Sequence, residues 1–133
     1  IVGGGRNHRF NLSQGVLIKN NHLALTGSIR EAVRITRQKV PPLMKIEVEV
    51  RTLAQVKEAL EAGAEIIMLD NMSCQEMAEA VKYIAGRAWV EASGAINKDN
   101  IQAVAQTGVN FISLGRLTHS APAVDIHMLV EKI

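Results

Sequence analysis

Three ionisable residues stand where apolar runs stop. Lys19 ends VLIK, Glu49 lies one residue before the end of KIEVEV, and Asp70 ends EIIMLD. Carboxylates at neighbouring strand ends suit Mg²⁺, which uses one or two protein carboxylates and takes its other ligands from water and substrate phosphates. A lysine in such a place binds an anion or, tuned by its surroundings, attacks a carbonyl. Upstream, GGGRNHRFN gathers Arg6, His8 and Arg9 behind three glycines. Arginine's planar fork fits carboxylates bidentately and a nearby histidine adds a donor, so His8 and Arg9 point to an acidic substrate. Arg6 reads as part of a solvated loop. Downstream, SGAINKDN and GRLTHS place Gly94 and Gly115 directly after apolar runs. Small residues at a strand-to-helix junction let backbone N–H groups approach a phosphate.

These residues need a scaffold that brings them together. Five short apolar runs read as strands: 15–19, 45–50, 65–70, 88–93 and 110–115. Each precedes a helical pattern. Ser28 with Glu31, Thr52 with Gln55 and Ser73 with Glu76 have the spacing of capping boxes, and Gly63, Gly86 and Gly108 stand where helices should stop. In residues 53–63, Leu53, Val56, Ala59 and Leu60 form one apolar stripe, with Lys57, Glu58 and Glu61 toward water. The βα repeat implies parallel strands with right-handed crossovers.

Strand alternation then separates two architectures. Lys45, Glu47 and Glu49 share one face of their strand, and Ile46, Val48 and Val50 share the other. A doubly wound sheet covers both faces with helices and would bury those charges against apolar stripes, at several kcal/mol each. A barrel interior that opens at one rim avoids this. The expected fold is therefore α/β: a partial TIM-like βα barrel of about five parallel strands and five helices. It is incomplete, since a closed eight-stranded barrel takes about 250 residues and this chain has 133. The same alternation points Leu17 and Lys19 inward, then Ile66, Met68 and Asp70, then Trp89, Glu91 and Ser93, then Phe111, Ser113 and Gly115.

Lys19, Glu47, Glu49, Asp70 and Glu91 together carry a formal charge of −3, one lysine against four carboxylates. Such a pocket needs cations, and Arg6, His8, Arg9, Lys45 or a divalent metal can supply them. Glu47 reads equally well as a simple partner of Lys45 or Lys19. His22, His119 and His127 lack metal-like spacing, and His127 is expected to be structural on a last helix.

Composition excludes several functions. Fifteen basic and 13 acidic residues are spread along the chain and aromatics make up only 3%, which argues against nucleic-acid binding. No apolar run approaches the ~20 residues that span a bilayer. The single cysteine, Cys74, has no intrachain disulfide partner, fits an ordinary helix position and suggests a reducing, cytoplasmic setting.

Taken in order, GGGRNHR, LIKNNH, IEVEV, LDN, EASGAI, TGV and LTHS resemble the C-terminal barrel domain of quinolinate phosphoribosyltransferase, also called nicotinate-nucleotide pyrophosphorylase (carboxylating). The resemblance runs over essentially the whole chain, and so implies that residues 1–133 are the C-terminal barrel portion without the family's N-terminal domain. It implies phosphoribosyl transfer from phosphoribosyl pyrophosphate to quinolinate with Mg²⁺, releasing pyrophosphate and CO₂ and giving nicotinate mononucleotide for NAD synthesis. It also implies a cytoplasmic homodimer or dimer-based oligomer whose site is completed by further basic residues, one of them from the partner. By this resemblance His8, Arg9 and Lys19 bind quinolinate, Glu49 and Asp70 are the acids near ribose and metal, and Ser93, Gly94, Ala95 and Gly115 form the phosphate-binding turns. Asn20 stands where the family usually has aspartate, and Ala95 where it has a second glycine. Two other readings stay open from the residues alone: a Schiff-base aldolase built on Lys19, and a non-catalytic phosphate-ligand binding fragment.

Overall fold

The structure is a computed structural model, and it describes residues 2–132. Five β-branched or apolar runs form strands: β1 (Val16–Ile18), β2 (Ile46–Val50), β3 (Ile66–Asp70), β4 (Trp89–Ser93) and β5 (Phe111–Ile112). All pair in parallel, in the order β1-β2-β3-β4-β5. Sequential order without a switch point is the topology of a barrel segment, in which every right-handed crossover lays its helix on the same side.

Register makes the two faces explicit. Val48 lies opposite Ile18 and Ile67, Val50 opposite Leu69, Ile67 opposite Val90, and Leu69 opposite Ala92. These residues are almost wholly buried and join the core beneath the helices. The other face aligns Leu17, Glu47, Ile66 and Trp89 in one row. The next row aligns Glu49, Met68, Glu91 and Phe111, and Asp70 lies opposite Ser93. This is the inward set expected from alternation. Trp89 and Phe111 stack with ring centroids 4.9 Å apart, and the Lys45 ammonium sits 5.1 Å from the Trp89 centroid. Lys45 therefore neighbours an aromatic ring rather than the acids.

The helices are α1 (Asn20–Thr26), α2 (Ile29–Lys39), α3 (Leu53–Glu61), α4 (Cys74–Ile84), α5 (Ile101–Gln106) and α6 (Arg116–His119). They number six rather than about five because two fill the first crossover, separated by Gly27 at φ 81°. Of the three expected capping boxes, one closes on both sides: Ser73 Oγ accepts from the Glu76 N–H and the Glu76 carboxylate accepts from the Ser73 N–H. Ser28 and Thr52 each accept their N3 N–H, but the Glu31 carboxylate turns to the Arg34 guanidinium, and Gln55 Oε1 accepts from the Arg51 N–H instead. The charged fork outcompetes a neutral backbone donor for Glu31. Gly63, Gly86 and Gly108 adopt φ of 82°, 75° and 88°, the left-handed region that ends helices.

Two expectations fail near the C-terminus. The last strand is only Phe111–Ile112, and residues 121–132 have no regular secondary structure, so His127 lies exposed outside any helix. The segment carries Val124, Ile126, Met128, Leu129 and Val130 toward solvent, so it lacks the tertiary packing from which most helical stability comes. Among the described residues no helix is long and apolar enough to cross a membrane.

The two-faced sheet generates a stability contrast. Ile67→Ala, on the helix-covered face, should lower the unfolding free energy by about 2–5 kcal/mol. Trp89→Ala, on the face that is still half-open, should lower it by less than Ile67→Ala. Denaturant titration of both variants checks this, and equal losses would contradict the assigned faces.

Candidate active site

At the rim of the sheet, β1 ends at Ile18 and the next residue, Lys19, is the N-cap of α1. His22 Nδ1 accepts from the Lys19 N–H at 2.9 Å, so the turn that aims Lys19 is held by a histidine to which the sequence assigned no role. Lys19 Nζ lies 3.8 Å from Glu49 Oε2. On the next strand Asp70 receives two bonds, from Arg51 Nε to Oδ2 at 2.8 Å and from Asn71 Nδ2 to Oδ1 at 2.9 Å. Arg51 was not singled out from the sequence, although a basic residue directly after IEVEV was the available signal. The Asn20 amide lies between these pairs. It reaches Glu49 Oε1 at 3.4 Å or, turned over, accepts from Arg51 Nε and Nη2 at 3.2 Å each, the orientation that gives its oxygen donors to accept from. A neutral amide here lies beside Glu49 and Arg51 without adding a third charge.

Deeper in the concave face, His8 Nε2 lies 3.1 Å from Glu47 Oε2 and 3.3 Å from Glu91 Oε2. Ser113 Oγ donates to Glu91 Oε1 at 2.5 Å. Glu47 is 5% exposed and Glu91 4%. Among the described residues Glu47 Oε1 has no hydrogen-bond partner. Burial pushes the Glu47 carboxyl up to about 7; the Glu91 charge adds to the rise, and His8 opposes it. The expected pairing of Glu47 with Lys45 or Lys19 is thus replaced by pairing with His8, because residues 5–9 line the same trough and bring the imidazole over the sheet.

His8, Arg9, Lys19, Glu49, Asp70, Ser93 and Gly115 all line one trough of about 1580 Å³ along this face. Arg9 Nη1 donates to the Gly15 carbonyl at 3.2 Å, which ties the loop to the start of β1 and leaves the rest of the guanidinium fork for an anion. Ser93, Gly94, Ala95 and Gly115 line a second cavity of about 460 Å³, which shares Ser93, Ser113 and Gly115 with the trough and adds Arg116 and His119. The nine residues expected from the sequence therefore fall into two joined cavities.

The junction between them is tightly built. Asn71 takes φ 55° and Gly94 φ 94°, and a Cβ on Gly94 would lie 2.4 Å from the Asn71 side chain. Asn71 N–H donates to the Ser93 carbonyl at 2.9 Å. Glycine at 94 thus lets Asn71 fold back onto Asp70, linking the two strand ends.

For a metal, Glu49 and Asp70 offer the hard oxygen donors that Mg²⁺ prefers. Both Asp70 oxygens are already engaged, whereas the Glu49 contacts at 3.4 and 3.8 Å leave it the freer ligand.

Two predictions follow from this geometry. Gly94→Ala should lower the melting temperature more than Gly86→Ala. Both positions are strained for alanine, but at Gly86 a Cβ meets nothing within 4 Å; equal shifts would contradict the Gly94–Asn71 contact. The second concerns pH. Glu47 has a raised folded-state value, so its contribution is fully present below the ordinary carboxyl value of 4.5 and is lost as pH rises through about 7. Wild-type stability should therefore fall relative to Glu47→Gln across that window, by a few kcal/mol in total. Parallel stability–pH curves for the two proteins would contradict the assignment.

Comparison with known proteins identifies the family. The family described as quinolinate phosphoribosyl transferase, C-terminal domain, matches residues 1–129. The Bacillus subtilis (strain 168) protein named "Probable nicotinate-nucleotide pyrophosphorylase (carboxylating)" is 46% identical over 127 residues, covering 96% of this chain and 44% of the relative. The chloroplastic nicotinate-nucleotide pyrophosphorylase (carboxylating) of Arabidopsis thaliana is 40% identical, covering 98% of this chain and 43% of the relative. The crystal structure of NadC from Streptococcus pyogenes superposes with a TM-score of 0.86 at 45% identity, covering 93% of this chain and 44% of that one. The chain thus spans less than half the length of these relatives. With the match extending from the glycine-rich start to beyond α6, the chain belongs to the quinolinate phosphoribosyl transferase family as its C-terminal domain.

Proposed function

We propose that this chain supplies the main part of an active site that transfers phosphoribosyl from phosphoribosyl pyrophosphate to quinolinate with loss of CO₂, forming nicotinate mononucleotide and pyrophosphate. The observation that carries the reading is the meeting, in one trough, of cations from β1 and the N-terminal loop with carboxylates from β2 and β3, next to a glycine-lined cavity.

Each side chain has a physical role in this reading. Quinolinate is a dicarboxylate, and Arg9, His8 and Lys19 are the donors beside the trough that suit it. The ribosyl centre becomes cationic as the bond to pyrophosphate breaks, and Glu49 and Asp70 stabilise that charge from fixed positions. Lys19 and Arg51 hold those two acids in place, with Asn20 between them. Gly94 and Gly115 leave room at the second cavity for the 5′-phosphate, with Ser93 and the backbone around Ala95 as donors. Glu49, with Asp70 beside it, would hold Mg²⁺. That ion supplies charge neutralisation of the departing pyrophosphate. Residues beyond this chain, a homodimeric partner and a cytoplasmic setting belong to the same reading; the resemblance supports the first two, and the exposed free thiol of Cys74 suits the third. The aldolase reading of Lys19 finds no support, because its ammonium faces a carboxylate and the relatives are phosphoribosyl-transferring enzymes.

Calorimetric titration with each ligand tests the roles. Arg9→Ala and Lys19→Ala should weaken quinolinate binding by tenfold or more, about 1.4 kcal/mol, and phosphoribosyl pyrophosphate binding much less. Equal losses for both ligands would overturn the division of the site.

A further inference from the structure

Four charged side chains meet at the rim of the trough, and their charges balance. Lys19 pairs with Glu49 at 3.8 Å and Arg51 with Asp70 at 2.8 Å. Two cations against two carboxylates leave no net charge there for a divalent ion to neutralise. The pairs are also layered. The Glu49 and Asp70 side chains are 11% and 13% exposed, whereas those of Lys19 and Arg51 are 53% and 58% exposed. An ion arriving from solvent meets the cations before it meets the acids.

The two acids are not held equally. Glu49 has the Lys19 ammonium at 3.8 Å, a loose contact that a metal ion displaces readily. Asp70 is held on both oxygens, by Arg51 Nε at 2.8 Å and Asn71 Nδ2 at 2.9 Å. Arg51 is itself fixed. Its backbone N–H donates to Gln55 Oε1 at 2.8 Å, and its Nε and Nη2 donate to the Asn20 oxygen at 3.2 Å each in the amide orientation favoured above. Because Asn20 is neutral, Asp70 is the acid that pairs with Arg51 among the described residues. A guanidinium held in this way opposes a metal on Asp70 twice over: it occupies a carboxylate lone pair, and its charge repels the ion.

We propose that Arg51 sets the divalent-ion affinity of the Glu49 and Asp70 pair, holding Mg²⁺ off the free chain until a polyanion such as pyrophosphate offsets the repulsion. The Arg51 Nη1 group, which has no hydrogen-bond partner among the described residues, gives that polyanion a donor. The inference rests on the reading in which Glu49 and Asp70 face the ion.

Calorimetric titration of the chain with MgCl₂ tests it, with circular dichroism to verify that every variant folds. Arg51→Gln should raise the Mg²⁺ affinity by about tenfold or more. Arg51→Lys keeps the charge but cannot reach Asp70 and Asn20 with one planar fork, so its affinity should fall between Arg51→Gln and the wild type. Should Arg51→Gln not fold, Arg51→Lys against the wild type decides. The gain must pass through Asp70, so Arg51→Gln combined with Asp70→Asn should bind Mg²⁺ no better than Asp70→Asn alone. Arg34→Gln removes an equal charge from the outer face of α2, where Arg34 pairs with Glu31, and should leave Mg²⁺ binding unchanged. Equal affinity in wild type and Arg51 variants, a gain that survives Asp70→Asn, or the same gain in Arg34→Gln would overturn the inference and leave the ion's place untouched. If neither the wild type nor any variant binds Mg²⁺, the placing of the ion at Glu49 and Asp70 falls, and the inference with it.

Discussion

Parallel strands that alternate strictly must decide what to do with both faces, and here one face has been given to carboxylates. Ile46, Val48 and Val50 go beneath the helices with no exposure at all, and this forces Glu47 and Glu49 onto the opposite surface, where they are also buried. Glu91 arrives on the same surface through the pairing of β3 with β4. Buried negative charge of this density is tolerable only with cations at contact distance. The positions of His8, Lys19 and Arg51 all answer that requirement: each touches one or two of the acids across an element boundary.

The same constraint ties fold to chemistry. Because the order of strands never reverses, every strand end faces the same rim, and the loops after β2, β3 and β4 are adjacent there. Asp70 and Ser93 are register partners, so the Asn71 and Gly94 turns that follow them must share one small volume. The left-handed Asn71 fits only because position 94 has no side chain. A rigid seam of this sort fixes the acid of one cavity relative to the other cavity without using a helix dipole or a disulfide.

How much of this was readable beforehand differs by the range of the interactions. The two faces of the sheet, the parallel order and the gathering of Lys19, Glu49 and Asp70 follow from period-two alternation, which is local. The pairing of Glu47 with His8 was not readable, because it depends on where a loop without periodicity crosses the sheet. Arg51 carries no distinctive signal in the sequence, since a basic residue after a strand is usually solvated, and only the neighbouring strand end shows its target. Ser28 and Thr52 had the spacing of full capping boxes, yet Glu31 and Gln55 found other partners, one of them on its own helix. The C-terminal residues have apolar content enough for a helix, but their side chains stay in solvent rather than packing.

The central proposal is that one mouth of this sheet collects groups suited to an anionic sugar phosphate and a dicarboxylate. Backbone amide NMR of the ¹⁵N-labelled chain, titrated with quinolinate and phosphoribosyl pyrophosphate together, tests it most directly. The account predicts concerted shifts at Lys19, Asn20, Asp70, Asn71, Gly94 and Gly115, with the outer surfaces of α2, α3 and α4 undisturbed. Shifts confined to those outer surfaces, or none at saturating ligand, would contradict it.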